Sequence, residues 1–385
     1  MATEPACLLI ADISGYTGYL AGVELDHAQD ILADLMGAIV SALRPGFRLA
    51  KLEGDAAFTF AITDKIDGSL LLDTVERCYF GFRRRRRDVQ QANSCACNAC
   101  VHIPDLDLKF VVHHGQILRQ RIGGGEELIG SDVILAHRLL KNEVVASTGI
   151  AAYALLTQAC VDAMDVDVAA LGMQQATESY EHIGDVPVWV HDLGRRWQEE
   201  EARTRVMVDE RRTAFRWDMP TSAPPQVLWE FVTTPGRRVS WSGVTGVEVI
   251  AAGNRRAVGA TTHCMHGKSA SIEELLDWRP YDYYTIRNTI PTPLGPISFL
   301  MTSAFEPTPD GTVLHMRMAP AASLKGRLLA RAMAPMLAKS LETAHRRLVE
   351  ELDADLAGRG QDGAAEPELP QPRPDGPIAG LASSV

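Results

Sequence analysis

Cys7-Leu8-Leu9-Ile10-Ala11 is a short unbroken apolar run, the pattern of a strand buried on both faces, and it predicts a strand over 6–13. Ile31, Leu32, Leu35, Met36, Ile39, Val40 and Leu43 then recur at helical spacing, predicting an amphipathic helix over Asp26–Leu43 that Pro45-Gly46 ends. Phe47–Leu52 and Ala56–Ile62 read as two strands flanking Gly54-Asp55, and Ser69 to about Gln91 as a second helix. Leu106–His114 and Gln116–Ile122 read as strands joined by a tight turn at Gly115. A short helix over Gly130–Asn142, a strand at Tyr153–Thr157, a helix at Gln158–Met164 and strands at Ser179–Ile183 and Val186–Val190 follow. Interleaved in this way, the elements predict an α+β domain with an antiparallel sheet over residues 1–194.

Residues 195–213 carry dense charge of both signs and few apolar positions, which reads as a helical linker. From 214 the pattern changes. A strand (Ala214–Met219) and a helix opened by Pro224-Pro225 lead into a loop over Gly236–Gly246. Six strand-like segments between Val247 and Ala319 come next, separated by turn signals such as Gly253-Asn254 and Pro309-Asp310-Gly311. One long helix over Gly326–Leu356 closes this second domain, residues 214–356. Residues 357–385 are rich in Pro, Gly, Ala and acids without periodicity and read as a disordered tail.

A chain of 385 residues fits two cores better than one. Its net charge of −11 argues against nucleic acid as the main partner. No apolar run reaches the length of a membrane span, and no basic leader precedes the first strand, so a cytoplasmic location is expected. The seven cysteines lack the spacing of a disulfide framework. Three of them crowd into Cys95-Ala-Cys97-Asn-Ala-Cys100, where Zn²⁺ could be held with a fourth ligand from Cys78, His102, His113, His114 or a dimer mate. Free thiols in an exposed loop are the plainer reading. Arg83–Arg87, five consecutive arginines, read as a solvated helix end, with an anion-binding patch as the rival.

Asp12 and Asp55 each stand where a strand gives way to a glycine-assisted turn. Paired strands would bring the two carboxylates together, a donor set suited to Mg²⁺ or Mn²⁺ carrying a polyphosphate. As turn or cap residues they would need no ligand at all.

Residues 6–193 resemble the class III nucleotidyl (adenylate/guanylate) cyclase domain. The resemblance rests on Leu9 to Thr17, on Lys51-Leu52-Glu53-Gly54-Asp55 and on Gly130 through Arg138. It implies a ferredoxin-like βαββαβ core working as a head-to-tail homodimer. Asp12 and Asp55 match the metal-binding aspartates; Ile13, Ser14, Gly15, Tyr16 and Thr17 match the loop that cradles the triphosphate. Lys51, with Glu127 as acidic partner, matches the pair that selects adenine, which favours ATP. Arg138 matches the arginine on the transition-state phosphates. The family's catalytic asparagine is replaced by Ile134, and its second lysine has no basic counterpart except His182. The cysteine motif followed by Gly130–Asn142 resembles a bacterial subgroup of cyclase-related proteins. Either a weak cyclase or a pseudoenzyme serving as a dimerisation and signalling module follows.

Residues 214–356 resemble the SRPBCC (START-like, helix-grip) superfamily in their order of strands and long closing helix. That implies an apolar cavity for a hydrophobic small molecule or lipid, with Trp241, Met265, Trp278, Phe299, Met316 and Met333 among the candidate lining residues. Ordinary core packing is the alternative for each of them.

Overall fold

The computed structural model describes residues 3–21, 25–92, 98–122, 125–267, 269–292, 295–321 and 323–361. The chain divides into two compact units, one formed by the residues up to Ala202 and the other starting at Arg203. The protein is α+β, with a ferredoxin-like arrangement in the first unit and a helix-grip arrangement in the second.

The first unit runs β1 (Glu4–Ser14), α1 (Tyr16–Ala21), α2 (Leu25–Leu43), β2 (Arg48–Glu53), β3 (Ala56–Ile62), α3 (Gly68–Ala92), α4 (Asn98–Val101), β4 (Asp107–Ile122), β5 (Gly125–Ile129), α5 (Ser131–Arg138), α6 (Val144–Thr148), β6 (Tyr153–Thr157), α7 (Gln158–Asp162), β7 (Gln174–Tyr180), β8 (Gly184–Asp192) and α8 (Leu193–Ala202). Its sheet has the order β2-β3-β1-β4-β6-β8-β7, with β5 paired to β4. The first four strands thus stand in the ferredoxin-like order. β1 is central and covered on both faces. Cys7, Leu9, Ala11 and Ile13 pack under α2 and α3, while Ala6, Leu8 and Ile10 join Phe58, Val133 and Ala136 on the α5 side. This double burial is why the strand reads as a continuous apolar run. Each fully buried aliphatic side chain contributes about 1.5–3 kcal/mol.

β4 corrects the sequence reading at Gly115. The strand passes through this residue without turning, and Gly115 pairs with Ala6. A Cβ at this position would stand 2.4 Å from Cγ of Asp132, so the glycine is needed for the approach of α5. Asp132 uses that space to accept from the Gln116 amide at 2.6 Å and to stand 3.3 Å from Nε2 of buried His113. Burial holds the His113 imidazole below its usual range, against the pull of Asp132.

The stretch read as a linker is divided between the units. α8 closes the first with Leu193 and Trp197 buried. Past Arg203 the backbone is pinned in the second unit, where the Val206 amide donates to Asp277 and the Val208 amide to Thr302, both at 2.9 Å. Many of the charged residues face water, but Arg196 bonds buried Glu76 at 2.9 Å and alternate backbone donors find partners, which charge density does not reveal.

The second unit runs β9 (Phe215–Thr221), α9 (Pro225–Thr233), α10 (Pro235–Ser242), β10 (Gly246–Ile250), β11 (Thr261–His266), β12 (Ser269–Arg279), β13 (Tyr283–Ile290), β14 (Ile297–Thr308), β15 (Gly311–Met318) and α11 (Leu324–Gln361). All neighbours in its sheet, β10-β11-β12-β13-β14-β15-β9, are antiparallel. The segment expected as a loop over 236–246 contains α10, opened by Pro235. Trp241 is buried there and donates its indole N–H to the Phe231 carbonyl at 2.9 Å. α11 continues to Gln361, past the predicted end at Leu356, and buries Ala344, Leu348 and Leu352 at i, i+4, i+8. The rest of the predicted tail lies outside the described residues.

Candidate functional site

In the first unit Asp12 stands near the end of β1, directly opposite Ala56 of β3 on one side and Lys109 of β4 on the other. Asp55 is the residue before β3, and its carbonyl accepts from the Ile13 amide at 3.0 Å. The strand pairing therefore brings both carboxylates together. Burial and then the Asp12 charge hold the Asp55 carboxyl above the usual carboxylate range, while its own amide and Lys109 pull the other way. Lys109 was not among the residues singled out in the sequence. Its ammonium lies 3.0 Å from Oδ2 of Asp12 and 3.4 Å from the Leu140 carbonyl. The local signal was a single lysine inside Leu108-Lys109-Phe110-Val111-Val112, a run that has to find it a counter-charge.

Gly15 takes φ +86°, and a Cβ there would stand 2.6 Å from the Asp105 carbonyl oxygen, so the turn into α1 requires glycine. Two groups of the Ile13–Thr17 loop are already committed, since the Ile13 amide bonds Asp55 and the Gly15 carbonyl accepts from Tyr19 at 2.9 Å. Ser14 and Tyr16 are half-buried, and Thr17 is exposed.

Lys51 and Glu127 meet across β2 and β5, with Nζ 4.0 Å from Oε1. Arg138 is exposed at the end of α5, one turn after Ile134, which is 60 % exposed. Between them His137 bonds Glu53 through Nε2 at 3.0 Å and packs edge-on to Phe58, tying α5 to the β2–β3 hairpin. Cys100 is buried, and Cys95 and Cys97 lie outside the described residues. Among the described residues no group of three or more His, Cys, Asp and Glu could hold a metal ion.

The second unit contains a cavity of about 250 Å³ between the sheet and α11. Trp241, Phe299 and Met316 line it, together with Met301, Leu337 and Leu341. Two expected lining residues do not. Met265 lies on the opposite side of β11 from Cys264, the buried residue of that pair, and its side chain packs near Gly246. Trp278 follows a bulge between Leu275 and Asp277 and packs edge-on against Trp229 at 4.7 Å. The side chain of Met333 is outside the described residues.

Polar groups collect on the inner sheet surface. Arg238 forms a two-bond fork with Glu273, 2.7 Å at each contact. Although burial pulls the Arg238 pKa down, Glu273 raises it on balance, so the guanidinium stays charged. Asn288 is 9 % exposed, lines the same cavity, and its Oδ1 has no hydrogen-bond partner among the described residues. Ser271 and His266, 3.3 Å apart, also line it. An apolar chamber with an unanswered acceptor can hold a mainly hydrophobic molecule that donates one hydrogen bond.

Fold and sites together define a two-part α+β protein: a ferredoxin-like unit with a paired-carboxylate site, then a helix-grip unit enclosing a cavity. Residues 32–148 match a family described as proteins of unknown function (DUF2652), not a cyclase family. Residues 216–353 match the family described as polyketide cyclase / dehydrase and lipid transport. The uncharacterized protein Rv2561/Rv2562 of Mycobacterium tuberculosis (strain ATCC 25618 / H37Rv) is 35% identical over 162 residues, 42% of this chain and 73% of the relative. The chain belongs to the family of that mycobacterial protein. Among solved structures, the guanylyl cyclase Cya2 is similar with a TM-score of 0.38 at 18% identity, covering 49% of this chain and 92% of that one. The adenylyl cyclase CyaB from P. aeruginosa gives 0.37 at 14%, covering 50% and 95%. Protein MLL2253 from Mesorhizobium loti gives 0.29 at 19%, covering 35% and 95%.

Proposed function

We propose that the second unit is a receptor for one hydrophobic small molecule or lipid bearing a hydroxyl or similar donor. The observation that carries this is the largely apolar cavity with the buried, unpartnered Oδ1 of Asn288 on its wall. The match of residues 216–353 to a family described as polyketide cyclase / dehydrase and lipid transport supports the same reading. Dodecanol is expected to displace a fluorescent anilinonaphthalene sulfonate from the protein better than dodecyl methyl ether does, because only the alcohol donates. Asn288→Leu should weaken dodecanol roughly three- to tenfold, the worth of one hydrogen bond, and leave the ether unchanged. Equal loss for both probes would assign Asn288 to packing alone.

A second reading belongs to the first unit, and the convergence of Asp12, Asp55 and the Lys51–Glu127 pair favours it. In it the unit binds a nucleoside triphosphate, ATP by preference, as a weak cyclase or a pseudocyclase, and forms a homodimer. The donor chemistry fits one hard divalent cation. The two carboxylates are hard oxygen donors, and the Asp55 carboxyl has its proton affinity raised by burial first and then by the neighbouring Asp12 charge. Lys109 already neutralises part of it. Asp12 and Asp55 would hold Mg²⁺ or Mn²⁺, which when bound would supply acidity to a ribose hydroxyl and charge to the phosphates. Lys51 and Glu127 would hydrogen-bond the base, and Arg138 would reach phosphate oxygens.

Calorimetry with ATP and Mn²⁺ is expected to show binding that Asp12→Ala and Asp55→Ala abolish. Asp55 has its pKa raised, so protons compete with the cation at low pH. Affinity should climb with pH until Asp55 is ionised and then level off. No heat at millimolar ATP or GTP would refute nucleotide binding.

A further inference from the structure

Within the second unit, the first half of α11 is built unlike the rest. From Arg327 to Thr343 no described residue is buried, although the stretch is rich in Leu, Met and Ala. One side of it, at Ala330, Met336, Leu337 and Leu341, forms part of the cavity wall. The other side exposes Leu324, Leu328, Arg331, Pro335 and Lys339 at three- and four-residue spacing. Leu324 and Leu328, at 78 % and 69 %, are the two most exposed large hydrophobic residues among those described. An ordinary solvated helix would carry charges of both signs there. This one has Arg327, Arg331 and Lys339, and the sequence holds no Asp or Glu between Asp310 and Glu342, in a chain whose net charge is −11. Among the described residues no acidic side chain pairs with Arg331 or Lys339.

We infer that this half of α11 docks on an anionic lipid surface, its exposed Leu324 and Leu328 entering the headgroup boundary and its basic residues meeting lipid phosphates. Exposed apolar side chains interspersed with charge of one sign are what an interfacial helix requires. Each Lys or Arg near an anionic leaflet is worth about a fivefold gain in partitioning, and the exposed leucines add to this through burial of their side chains. The docked segment also walls the cavity, so a bound molecule would lie one helix thickness from the lipid. The inference does not depend on the cavity's occupant, because it rests on the exterior of the helix.

The test is flotation of the full chain with vesicles of phosphatidylcholine alone or mixed with phosphatidylglycerol. The wild type is expected to float with the anionic vesicles only and to be released by salt. Arg331→Glu with Lys339→Glu changes four units of charge and should cut partitioning by about two orders of magnitude or more. Leu324→Asp with Leu328→Asp should lose it without altering the circular dichroism. Absence of flotation at low salt, or equal flotation of the wild type and both variants, would overturn the inference. Lipid-free dimerisation abolished by Leu324→Asp with Leu328→Asp, without flotation of the wild type, would overturn it in favour of a second copy of the chain.

Discussion

Glu273→Ala is expected to destabilise the second unit by about 3–5 kcal/mol, the usual cost of leaving one member of a buried ion pair unanswered. Arg238 has both of its charged contacts on Glu273, at 2.7 Å, and the carboxylate side chain is only 6 % exposed. With Glu273 gone, the guanidinium keeps its charge, since arginine does not lose its proton in proteins, and its side chain is only 18 % exposed. In a unit of this size the loss corresponds to roughly 10 °C or more in the calorimetric transition. Arg238→Met combined with Glu273→Leu removes both charges and should fall within about 2 kcal/mol of wild type. A shift under 2 °C for Glu273→Ala would mean that the pair is hydrated and forms no closed wall of the cavity.

Ile134→Asn is expected to raise cyclic nucleotide formation from ATP by on the order of 10² to 10³, the typical worth of one positioned donor on a developing charge. The wild type should sit at or below detection. Ile134 lies on the exposed side of α5 one turn before Arg138, so an amide there can aim where Arg138 aims. At 60 % exposure the exchange disturbs no packing and is neutral for the fold. Mass detection of product after incubation with Mn²⁺ and ATP checks it. A variant that binds ATP as the wild type does and forms no more product would place the fault elsewhere. The commitment of Asp12 to Lys109 would then be the leading cause, and the first unit would read as a binding module.

How much of this was legible along the chain differs from residue to residue. The unbroken run at Cys7–Ala11 announces a central strand because burial on both faces removes the need for alternation. The approach of Asp12 and Asp55 follows from two neighbouring strands, and Lys51 approaches Glu127 because β2 and β5 lie side by side. Gly115 reads as a turn because glycine usually is one. Its actual role is set by Asp132, a later residue on another element, which local pattern does not convey. Register decided the rest. Met265 and Cys264 are adjacent and equally apolar, and only the pairing of β11 with β12 tells which faces in. Trp278 changes place because of a bulge at Leu276. Asn288 and Glu273 have no motif, and their significance comes entirely from standing on the inner face of strands that enclose a cavity.

The central claim is that the cavity under α11 takes one hydrophobic molecule. Native mass spectrometry of the full chain with dodecanol tests it most directly, set beside Met301→Trp, whose indole would fill the chamber from β14. The predicted result is a single saturable adduct in the wild type, kept by Asp12→Ala and lost in Met301→Trp. No adduct in the wild type, or an undiminished one in Met301→Trp, would contradict the account.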